Sequence, residues 1–287
     1  MDMTVGSYIQ SLSEKLQPLY PGREAKAVAE ALVCHELSIE RYKCLSEPGA
    51  EISPEHLASL QEQEKQLLEA KPLQYVTGSC MFAGIRIRVR EGVLIPRPET
   101  EQLFSLAADD AEKIMDASED DNFNVLDICT GSGCLAYAFA SEFPDAQVYG
   151  CDISMDALAV ACKQRVKCIK PVFFVADLLQ APPAGLPRFD VIVCNPPYVR
   201  ESEKAAMRPN VLEWEPALAL FVPDDDPLVF YKALAEWAKV LLKPRGVLWM
   251  EINEALGAET AALFPGAQII KDFNDKDRFI KVQAWQN

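Results

Sequence analysis

From Phe123 onward the sequence repeats one pattern, in which an apolar run is followed by a turn and then by a stretch with helical periodicity. The predicted strands are FNVLDI, AQVYGCDI, PVFFVA, FDVIVC, VLWMEI, AQIIKDF and RFIKVQAW. The predicted helices are CLAYAFASEF, SMDALAVACKQRV, PLVFYKALAEWAKVLL and ALGAETAALF. Strands that alternate with helices predict an α/β fold, in which a mainly parallel sheet carries helices on both faces. In such folds the ligand binds in the crevice beyond the carboxyl ends of the strands.

The residues before Phe123 follow a different plan. Apolar residues at three- and four-residue spacing predict helices in SYIQSLSEKL, REAKAVAEALVCHEL and SPEHLASLQEQEKQLLEA, the last of which begins with the typical start Ser53-Pro54. The alternating stretch GIRIRVRE predicts a strand paired with QYVTGSCMF in a hairpin. LIPRPETEQLF then opens a helix, and DASEDDN predicts a linker. We therefore expect a helical domain (1–71), a β-hairpin linker (72–95) and a catalytic domain (96–287).

Composition restricts the class of protein. The chain has 28 Lys and Arg against 43 Asp and Glu, a net charge of −15 that argues against nonspecific binding of nucleic acid. Nine cysteines without a CxxC pair and two histidines give little support to a metal site or a disulfide framework. The sequence shows neither a secretory signal nor an apolar run of the roughly 20 residues that cross a bilayer. We expect a cytoplasmic protein with no bound metal and no membrane partner.

The segment LDICTGSGCLA (126–136) lies between a predicted strand and a predicted helix. Gly131 and Gly133 stand where the backbone has to turn tightly and let a ligand approach, although a plain strand–helix turn also uses glycine. Asp152 ends the next predicted strand, 19 residues after Gly133, close to the spacing of about 20 at which a carboxylate binds ribose hydroxyls. The alternative role for Asp152 is a helix cap, which Ser154 can also provide. Together these residues favour a cofactor that contains adenosine.

Two further carboxylates distinguish between adenosine cofactors. Asp127 precedes the glycine turn and is not part of the NAD fingerprint. A carboxylate at this position attracts the cationic groups of S-adenosylmethionine and repels the pyrophosphate of NAD. Asp177 directly follows the predicted strand PVFFVA, where it either binds an adenine amine or forms a solvated turn or a helix cap. S-adenosylmethionine is therefore the predicted cofactor, and S-adenosylhomocysteine is the predicted product.

The stretch CNPPYV (194–199) places two prolines and an aromatic residue directly after a buried strand. Proline fixes φ and lacks an N–H group, so these residues predict a rigid elbow. The side-chain oxygen of Asn195 and the carbonyl of Pro196 can accept both hydrogens of a planar NH2 group, while the Tyr198 ring stacks on its face. A plain proline-rich turn leaves Asn195 and Tyr198 unexplained. We predict that Asn195, Pro196 and Tyr198 are catalytic, and that Pro197 joins them in binding the substrate.

Methyl transfer suits this set of residues. The sulfonium is already an activated leaving group, so the protein has mainly to align the reactants, and no strong general base is required. His35 and His56 both lie in the N-terminal helical part. A Ser-His-Asp hydrolase therefore has little support.

Motifs along nearly the whole chain resemble the release-factor glutamine methyltransferases, the PrmC/HemK type. These motifs are PLQYVTG (72–78), VLIPRPETE (93–101), LDICTGSG (126–133), CDIS (151–154), NPPY (195–198), EPALAL (215–220) and KDFNDKDRF (271–279). The resemblance implies a class I S-adenosylmethionine-dependent methyltransferase fold, Rossmann-like with a seven-stranded sheet, after a small helical domain and a linking β-hairpin. It also implies methylation of the amide nitrogen of the glutamine in the Gly-Gly-Gln motif of bacterial class I peptide chain release factors. We assign the helical domain to recognition of that partner.

The resemblance also implies which residues meet the ligands. NPPY corresponds to the binding site for the target glutamine, and the segment from Pro96 to Thr100 closes over the cofactor. The predicted cofactor-binding residues are Pro96, Thr100, Asp127, Cys129, Thr130, Gly131, Ser132, Gly133, Asp152, Ile153, Asp177, Leu178 and Asn195.

Some positions depart from the family pattern, and two other functions remain as alternatives. Cys129 stands where many members have glycine, a departure that we expect to be tolerated if its φ is negative. Asn253 replaces the glycine of Glu-Ile-Gly, and FVPDDDPL (221–228) replaces a loop that contains glycine. An adenine-specific DNA or RNA methyltransferase shares the elbow but needs a basic groove. A dinucleotide-dependent oxidoreductase shares only the glycine turn and Asp152.

Overall fold

The computed structural model describes residues 3–118 and 122–283, which form two compact units. One unit contains the residues up to Gly78 together with Arg208–Trp214, and the other contains Ser79–Met207 and the chain from Glu215 onward. The helices are α1 (Val5–Leu16), α2 (Gly22–Leu37), α3 (Arg41–Ser46), α4 (Pro54–Leu68), α5 (Leu73–Thr77), α6 (Pro98–Asp116), α7 (Cys134–Glu142), α8 (Met155–Ala161), α9 (Pro209–Leu212), α10 (Val229–Leu241) and α11 (Gly257–Ala261). The strands are β1 (Ser79–Phe82), β2 (Ile85–Arg88), β3 (Asn124–Ile128), β4 (Gln147–Asp152), β5 (Val172–Val175), β6 (Phe189–Cys194), β7 (Val199–Arg200), β8 (Phe221–Val222), β9 (Leu242–Glu251), β10 (Gln268–Lys271) and β11 (Asp277–Gln283).

The first unit is helical, as its apolar spacing predicts. Helix α4 begins as expected, with Pro54 in its first turn and the Ser53 hydroxyl accepting the N–H of His56 at 3.3 Å. Apolar side chains of α1, α2 and α4 form a shared buried core. The Arg208 guanidinium, just before α9, contacts both carboxylate oxygens of Glu24 at 2.8 and 3.0 Å.

The prediction of a strand over QYVTGSCMF is wrong in its first half. Residues Leu73–Thr77 are helical: the carbonyl of Pro72, the N-cap, accepts the N–H groups of Tyr75 and Val76 at 2.9 and 3.1 Å, and Gly78, at φ +71°, ends the helix. The hairpin is formed by β1 and β2 alone. Its two-residue loop, Ala83-Gly84, has positive φ at both positions, the turn geometry that best matches strand twist.

The second unit is built on the predicted sheet. Among the described residues, seven strands form it in the order β10-β11-β9-β6-β3-β4-β5. The five strands from β9 to β5 are parallel, and β11 is antiparallel to both of its neighbours. The chain runs outward from β3 to β5 and then returns to β6 on the other side of β3. Strand order therefore reverses between β3 and β6, the position at which such sheets bind ligands.

Helices cover both faces of this sheet. Leu248 and Met250 of β9 belong to a buried cluster with α10 side chains that include Tyr231 and Trp237. Trp249, between them, donates its indole N–H to Asp110 of α6 at 3.1 Å. Because side chains alternate along a strand, α10 and α6 lie on opposite faces.

Several boundaries differ from prediction. Helix α8 ends at Ala161, although the sequence pattern continues to residue 166, and β9 already begins at Leu242. The loop predicted after β6 contains the short parallel pair β7 and β8. Residues 119–121 of the predicted linker and residues 284–285 of the predicted last strand lie outside the described residues. Within residues 3–118 and 122–283, no helix combines the length and apolar character that crossing a membrane requires.

Candidate active site

The carboxyl ends of the parallel strands form a row that follows the order of the sheet. Ile128 is paired with Cys194 on one side and with Cys151 on the other, and Cys194 is paired with Met250. The next residue of each strand is therefore level with its neighbours. In order across the sheet, these strand-end residues are Glu251, Asn195, Cys129, Asp152 and, after β5, Asp177. Neighbouring strands are about 4.8 Å apart. Asn195, Cys129, Asp152 and Asp177 line one pocket, whereas Glu251 is buried and bonds to the lining residue Thr100.

A single pocket in the second unit collects most of the residues predicted from the sequence. Those that line it are Pro96, Thr100, Asp127, Cys129, Thr130, Gly131, Ser132, Asp152, Ile153, Asp177, Leu178, Asn195 and Pro197. Gly133, Pro196 and Tyr198 are not part of the lining. Gly133 has φ +82° and caps α7, and a side chain there would meet Phe173 and Tyr137 at 3.1 and 3.2 Å. Glycine at this position therefore lets the helix pack closely, and a role of Gly133 in cofactor binding stays a prediction.

Asp127, one of the lining residues, has a buried oxygen without a partner. Its Oδ2 accepts the Thr130 hydroxyl at 2.5 Å and the N–H of Ala136 at 3.1 Å, whereas its Oδ1 has no hydrogen-bond partner among residues 3–118 and 122–283. Burial raises the pKa of Asp127 to about 7, against the lowering effect of these two donors. A buried acceptor without a partner is costly, so this oxygen is suited to a cationic or N–H-bearing ligand.

Asp152 fastens the glycine loop to the end of β4. Its two carboxylate oxygens accept the N–H groups of Gly131 and Ser154, each at 2.8 Å. The helix cap is Ser154, whose hydroxyl accepts the N–H of Ala157 at 3.1 Å. Asp152 is therefore not needed to cap α8, and it lines the pocket with a further lone pair on each oxygen.

Asp177 forms a local turn as well as lining the pocket. Its Oδ1 accepts the N–H of Leu179 at 2.9 Å, which is the solvated-turn alternative considered from the sequence. Only one of its oxygens is used in this way. A role in binding an adenine amine stays a prediction.

The condition on which Cys129 was expected to be tolerated, a negative φ, is not met. Its φ is +60°, in the left-handed region, like that of Gly131 at +55°. The turn after β3 has to bend this way because the N–H of Thr130 bonds to the carbonyl of Cys151 at 2.9 Å. An L-residue in this conformation is strained, which explains why glycine suits the position.

The elbow after β6 is tied to Glu251, a carboxylate that was not predicted from the sequence. Asn195 Nδ2 donates to the Thr100 hydroxyl at 2.9 Å, and that hydroxyl donates to Glu251 Oε2 at 2.9 Å. The Tyr198 hydroxyl donates to Glu251 Oε1 at 2.5 Å. The Tyr198 ring packs against the buried cluster of α10, so its stacking on a substrate stays a prediction. Glu251 lies in the predicted strand VLWMEI, and its place near a strand end was the available signal.

Two other residues, Glu215 and Asn253, form hydrogen bonds that fix the segments around the pocket. Buried Glu215 accepts the N–H of Ile95 at 3.1 Å and the Arg97 guanidinium at 2.6 Å, which joins the segment before α6 to the loop before β8. Asn253 donates to the carbonyl of Tyr198 at 3.1 Å and caps the turn that follows, with a negative φ. The departure from glycine at Asn253 therefore supports the elbow.

The loop at 221–228, which differs from the family pattern, is also held in place. Its Asp224 accepts the N–H and the hydroxyl of Ser202 at 3.1 and 2.7 Å, and its Asp226 binds Lys232 at 2.7 Å. No glycine is needed to fasten it.

Comparison with known proteins agrees with this geometry. Residues 8–78 match the family described as PrmC N-terminal domain, and residues 108–213 match Methyltransferase small domain. The release factor glutamine methyltransferase of Bacteroides thetaiotaomicron is 38% identical over 275 residues, covering 94% of this chain and 96% of that protein. The chain belongs to the release factor glutamine methyltransferases. The enzymes of that name from Flavobacterium psychrophilum and Bacillus subtilis are 37% and 35% identical, covering 98% and 90% of this chain and 99% and 91% of their own.

Membership of this family confirms the resemblance found in the sequence motifs, and the sheet confirms the predicted fold class. It also identifies the protein as a methyltransferase rather than an oxidoreductase. Asn195 and Pro197 of the elbow line the same pocket as the carboxylates Asp127, Asp152 and Asp177.

Proposed function

We propose that this protein transfers a methyl group from S-adenosylmethionine to the side-chain amide nitrogen of the glutamine in the Gly-Gly-Gln motif of bacterial class I release factors. The observation that carries the proposal is the orientation of Asn195. Its NH2 group is occupied by Thr100, so the free end of its side chain is the oxygen Oδ1, in a pocket shared with Asp127. An acceptor at this place suits an amide NH2 as substrate. Because release factors act on ribosomes, the reaction would take place in the cytoplasm.

The residues of the pocket fit S-adenosylmethionine. The orphaned Oδ1 of Asp127 suits an ammonium group, Asp152 has lone pairs for ribose hydroxyls, and the glycine loop lets the backbone approach a ligand closely. Apolar side chains such as Val93, Leu94 and Leu178 complete the lining. When bound, this cofactor supplies a methyl group on a sulfonium, which needs no further activation.

The chain itself has mainly to orient the target amide. An amide nitrogen is a poor nucleophile, because its lone pair is delocalised into the carbonyl group. Asn195 Oδ1 accepts one N–H of the target. The carbonyl of Pro196, which is not itself in the lining but lies between the lining residues Asn195 and Pro197 in the chain, accepts the other. Two acceptors aimed at these hydrogens hold the nitrogen towards the methyl group and stabilise the positive charge that develops there. The extra proton is then lost to water.

We assign the helical unit to recognition of the release factor, since the residues that line the pocket around Asp127 and Asn195 lie in the other unit. On its helix α3, Tyr42 and Leu45 are 64% and 62% exposed and share one side of the helix at three-residue spacing. Large exposed apolar side chains of this kind are typical of partner contacts.

One experiment tests the proposal against its alternative. S-adenosylmethionine with a labelled methyl group is incubated with the protein and a class I release factor, its Gly-Gly-Ala variant, or adenine-containing DNA and RNA. We expect label on the glutamine of the wild-type release factor alone, located by tandem mass spectrometry. Label on nucleic acid would favour the adenine methyltransferase, and label on the Gly-Gly-Ala variant would place the modification on another residue.

A further inference from the structure

We infer that Glu251 is a positioning residue that determines which end of the Asn195 side-chain amide faces the pocket, and that it acts through the hydroxyl of Thr100. The inference rests on the proposed function for the identity of the substrate amide, but the hydrogen-bond relay is a property of the protein alone. The three residues come from β9, from the elbow after β6 and from the first turn of α6. Their meeting is therefore a product of the fold.

The direction of each hydrogen bond follows from the donors and acceptors present. A threonine hydroxyl has a single hydrogen, and an ionised carboxylate can only accept. Thr100 therefore gives its hydrogen to Glu251 Oε2 at 2.9 Å, and its oxygen is left to accept. The group that contacts this oxygen at 2.9 Å has to be the NH2 of Asn195. Through these two hydrogen bonds, the carboxylate of Glu251 thus determines which end of the Asn195 amide donates to Thr100.

The same carboxylate also holds the other side of the elbow. Its Oε1 accepts the Tyr198 hydroxyl, and its Oε2 accepts the Thr100 hydroxyl. Tyr198 directly follows Pro197 in the chain, and Thr100 contacts Asn195, which directly precedes Pro196. Glu251 is 1% exposed, and water does not compete for these bonds. Burial raises the pKa of Glu251, whereas Tyr198, Thr100 and the nearby Arg278 lower it. Burial is the largest of these effects, so the pKa of Glu251 is raised overall, and the two hydroxyl donors and Arg278 counteract that rise.

The relay matters because the two orientations of an asparagine amide have almost the same shape. Turning the amide by 180° leaves the packing unchanged but exchanges an acceptor for two donors. Asn195 would then direct N–H groups at the N–H groups of the target and could not hold it. Loss of the relay should therefore reduce turnover more than stability, which a merely structural role would not do.

A matched pair of variants at Thr100 tests the inference. Thr100→Val keeps the shape and removes the hydroxyl, whereas Thr100→Ser keeps the hydroxyl and removes only a methyl group. In single-turnover assays at saturating S-adenosylmethionine, we expect Thr100→Val to lower the rate about 10²-fold, the usual loss for one misplaced charge-stabilising group. We expect Thr100→Ser to stay within about threefold of wild type by the same reasoning. A folded Thr100→Val protein with the wild-type rate would overturn the inference.

Glu251→Gln provides a second, independent variant. Glutamine keeps the shape and removes the buried charge, so it need not unfold the protein, but its NH2 group can donate to Thr100 and reverse the relay. We expect a loss of rate comparable to that of Thr100→Val. The double variant should lose less than the product of the two single losses, because both substitutions break one chain of hydrogen bonds. Fully multiplicative losses would mean that Glu251 and Thr100 act separately.

A spectroscopic measurement distinguishes failure of the relay from failure of the proposed function. In protein labelled with ¹⁵N-asparagine, the hydrogens of the Asn195 side-chain NH2 should exchange slowly with solvent in wild type and in Thr100→Ser. In Thr100→Val they should exchange about tenfold faster or more, because the buried hydrogen bond that slows exchange in wild type is absent. This result does not depend on any substrate. If the exchange pattern holds while no variant methylates a release factor, the proposed function is wrong and the relay stands. Equal exchange in all three proteins would refute the relay.

Discussion

Cofactor affinity should fall as the pH is lowered through about 7, because Asp127 has to be ionised to bind an ammonium group. Burial raises the pKa of Asp127 to about 7, so its carboxyl group is mostly protonated at pH 6. Binding a cation stabilises the carboxylate and releases that proton. If the pKa in the complex is well below 6, affinity at pH 6 should be roughly eightfold weaker than at pH 7.5, which is the ratio of the ionised fractions.

The measurement is isothermal titration of S-adenosylmethionine at pH 7.5 and pH 6 at one ionic strength. An α-amino group with a pKa of about 7.7–8.0 is almost fully protonated at pH 6 and about 60–75% protonated at pH 7.5, which reduces the expected loss of affinity from roughly eightfold to about five- to sixfold. The two histidines, His35 and His56, belong to the helical unit and do not line the pocket. Titration in two buffers of different ionisation enthalpy should show nearly one proton released per cofactor bound at pH 6.

Two controls isolate Asp127. Asp127→Asn keeps the shape and the acceptor for Thr130, and it should bind more weakly but equally at both pH values. The ligand 5′-methylthioadenosine keeps the nucleoside and lacks the ammonium group, so its affinity for wild type should not change with pH. Equal S-adenosylmethionine affinity at pH 6 and 7.5 would refute the assignment of the ammonium to Asp127. A pH dependence that persists in Asp127→Asn would assign the titration to another group, such as Asp152.

Three other predictions concern single features of the structure. Asp152→Ala should weaken S-adenosylmethionine binding, measured by calorimetry, roughly ten- to a hundredfold, because hydrogen bonds to a charged group are worth about 1.5–3 kcal/mol. Unchanged affinity would mean that Asp152 only holds the glycine loop in place. The free energy of unfolding of Cys129→Gly, measured in urea, should lie within about 1 kcal/mol of the wild-type value. Cys129→Val should be less stable, because a β-branched residue tolerates positive φ worst. Equal stability of the two variants would contradict the argument from the backbone conformation. The double variant Tyr42→Ser, Leu45→Ser should raise KM for intact release factor several-fold, because truncating an apolar side chain at an interface costs roughly 1 kcal/mol. It should leave the kinetics with a short Gly-Gly-Gln peptide unchanged. An unchanged KM for the intact factor would show that α3 is not part of the partner surface.

Features encoded by neighbouring residues could be predicted from the sequence. The glycine turn, Asp127 and Asp152 lie at the ends of consecutive strands, and strand alternation places them together. The elbow was predictable because two prolines restrict their own backbone and that of the residue before each. Its nearness to the glycine turn follows once β6 is placed beside β3, as in the observed sheet.

Pairings between distant parts of the chain could not be predicted in this way. Thr100 and Glu251 are 151 residues apart, and Ile95 and Glu215 are 120 apart. No spacing in the sequence indicates such a pairing, because it depends on where helix α6 crosses the sheet. The error at QYVTG has a local cause, since β-branched and aromatic residues favoured a strand while Pro72 and the turn after it imposed a helix.

The most direct test of the proposed mechanism is single-turnover methylation of a release factor by Asn195→Ala at saturating S-adenosylmethionine. The side chain lies at the end of β6 and contacts Thr100 rather than the core, so the melting temperature should hardly change. Removing the acceptor that orients the target amide should lower the rate of methyl transfer about 10²–10³-fold. Asn195→Asp keeps the acceptor and should retain part of the activity. Transfer by Asn195→Ala at the wild-type rate would show that the elbow is only structural and would contradict the mechanism.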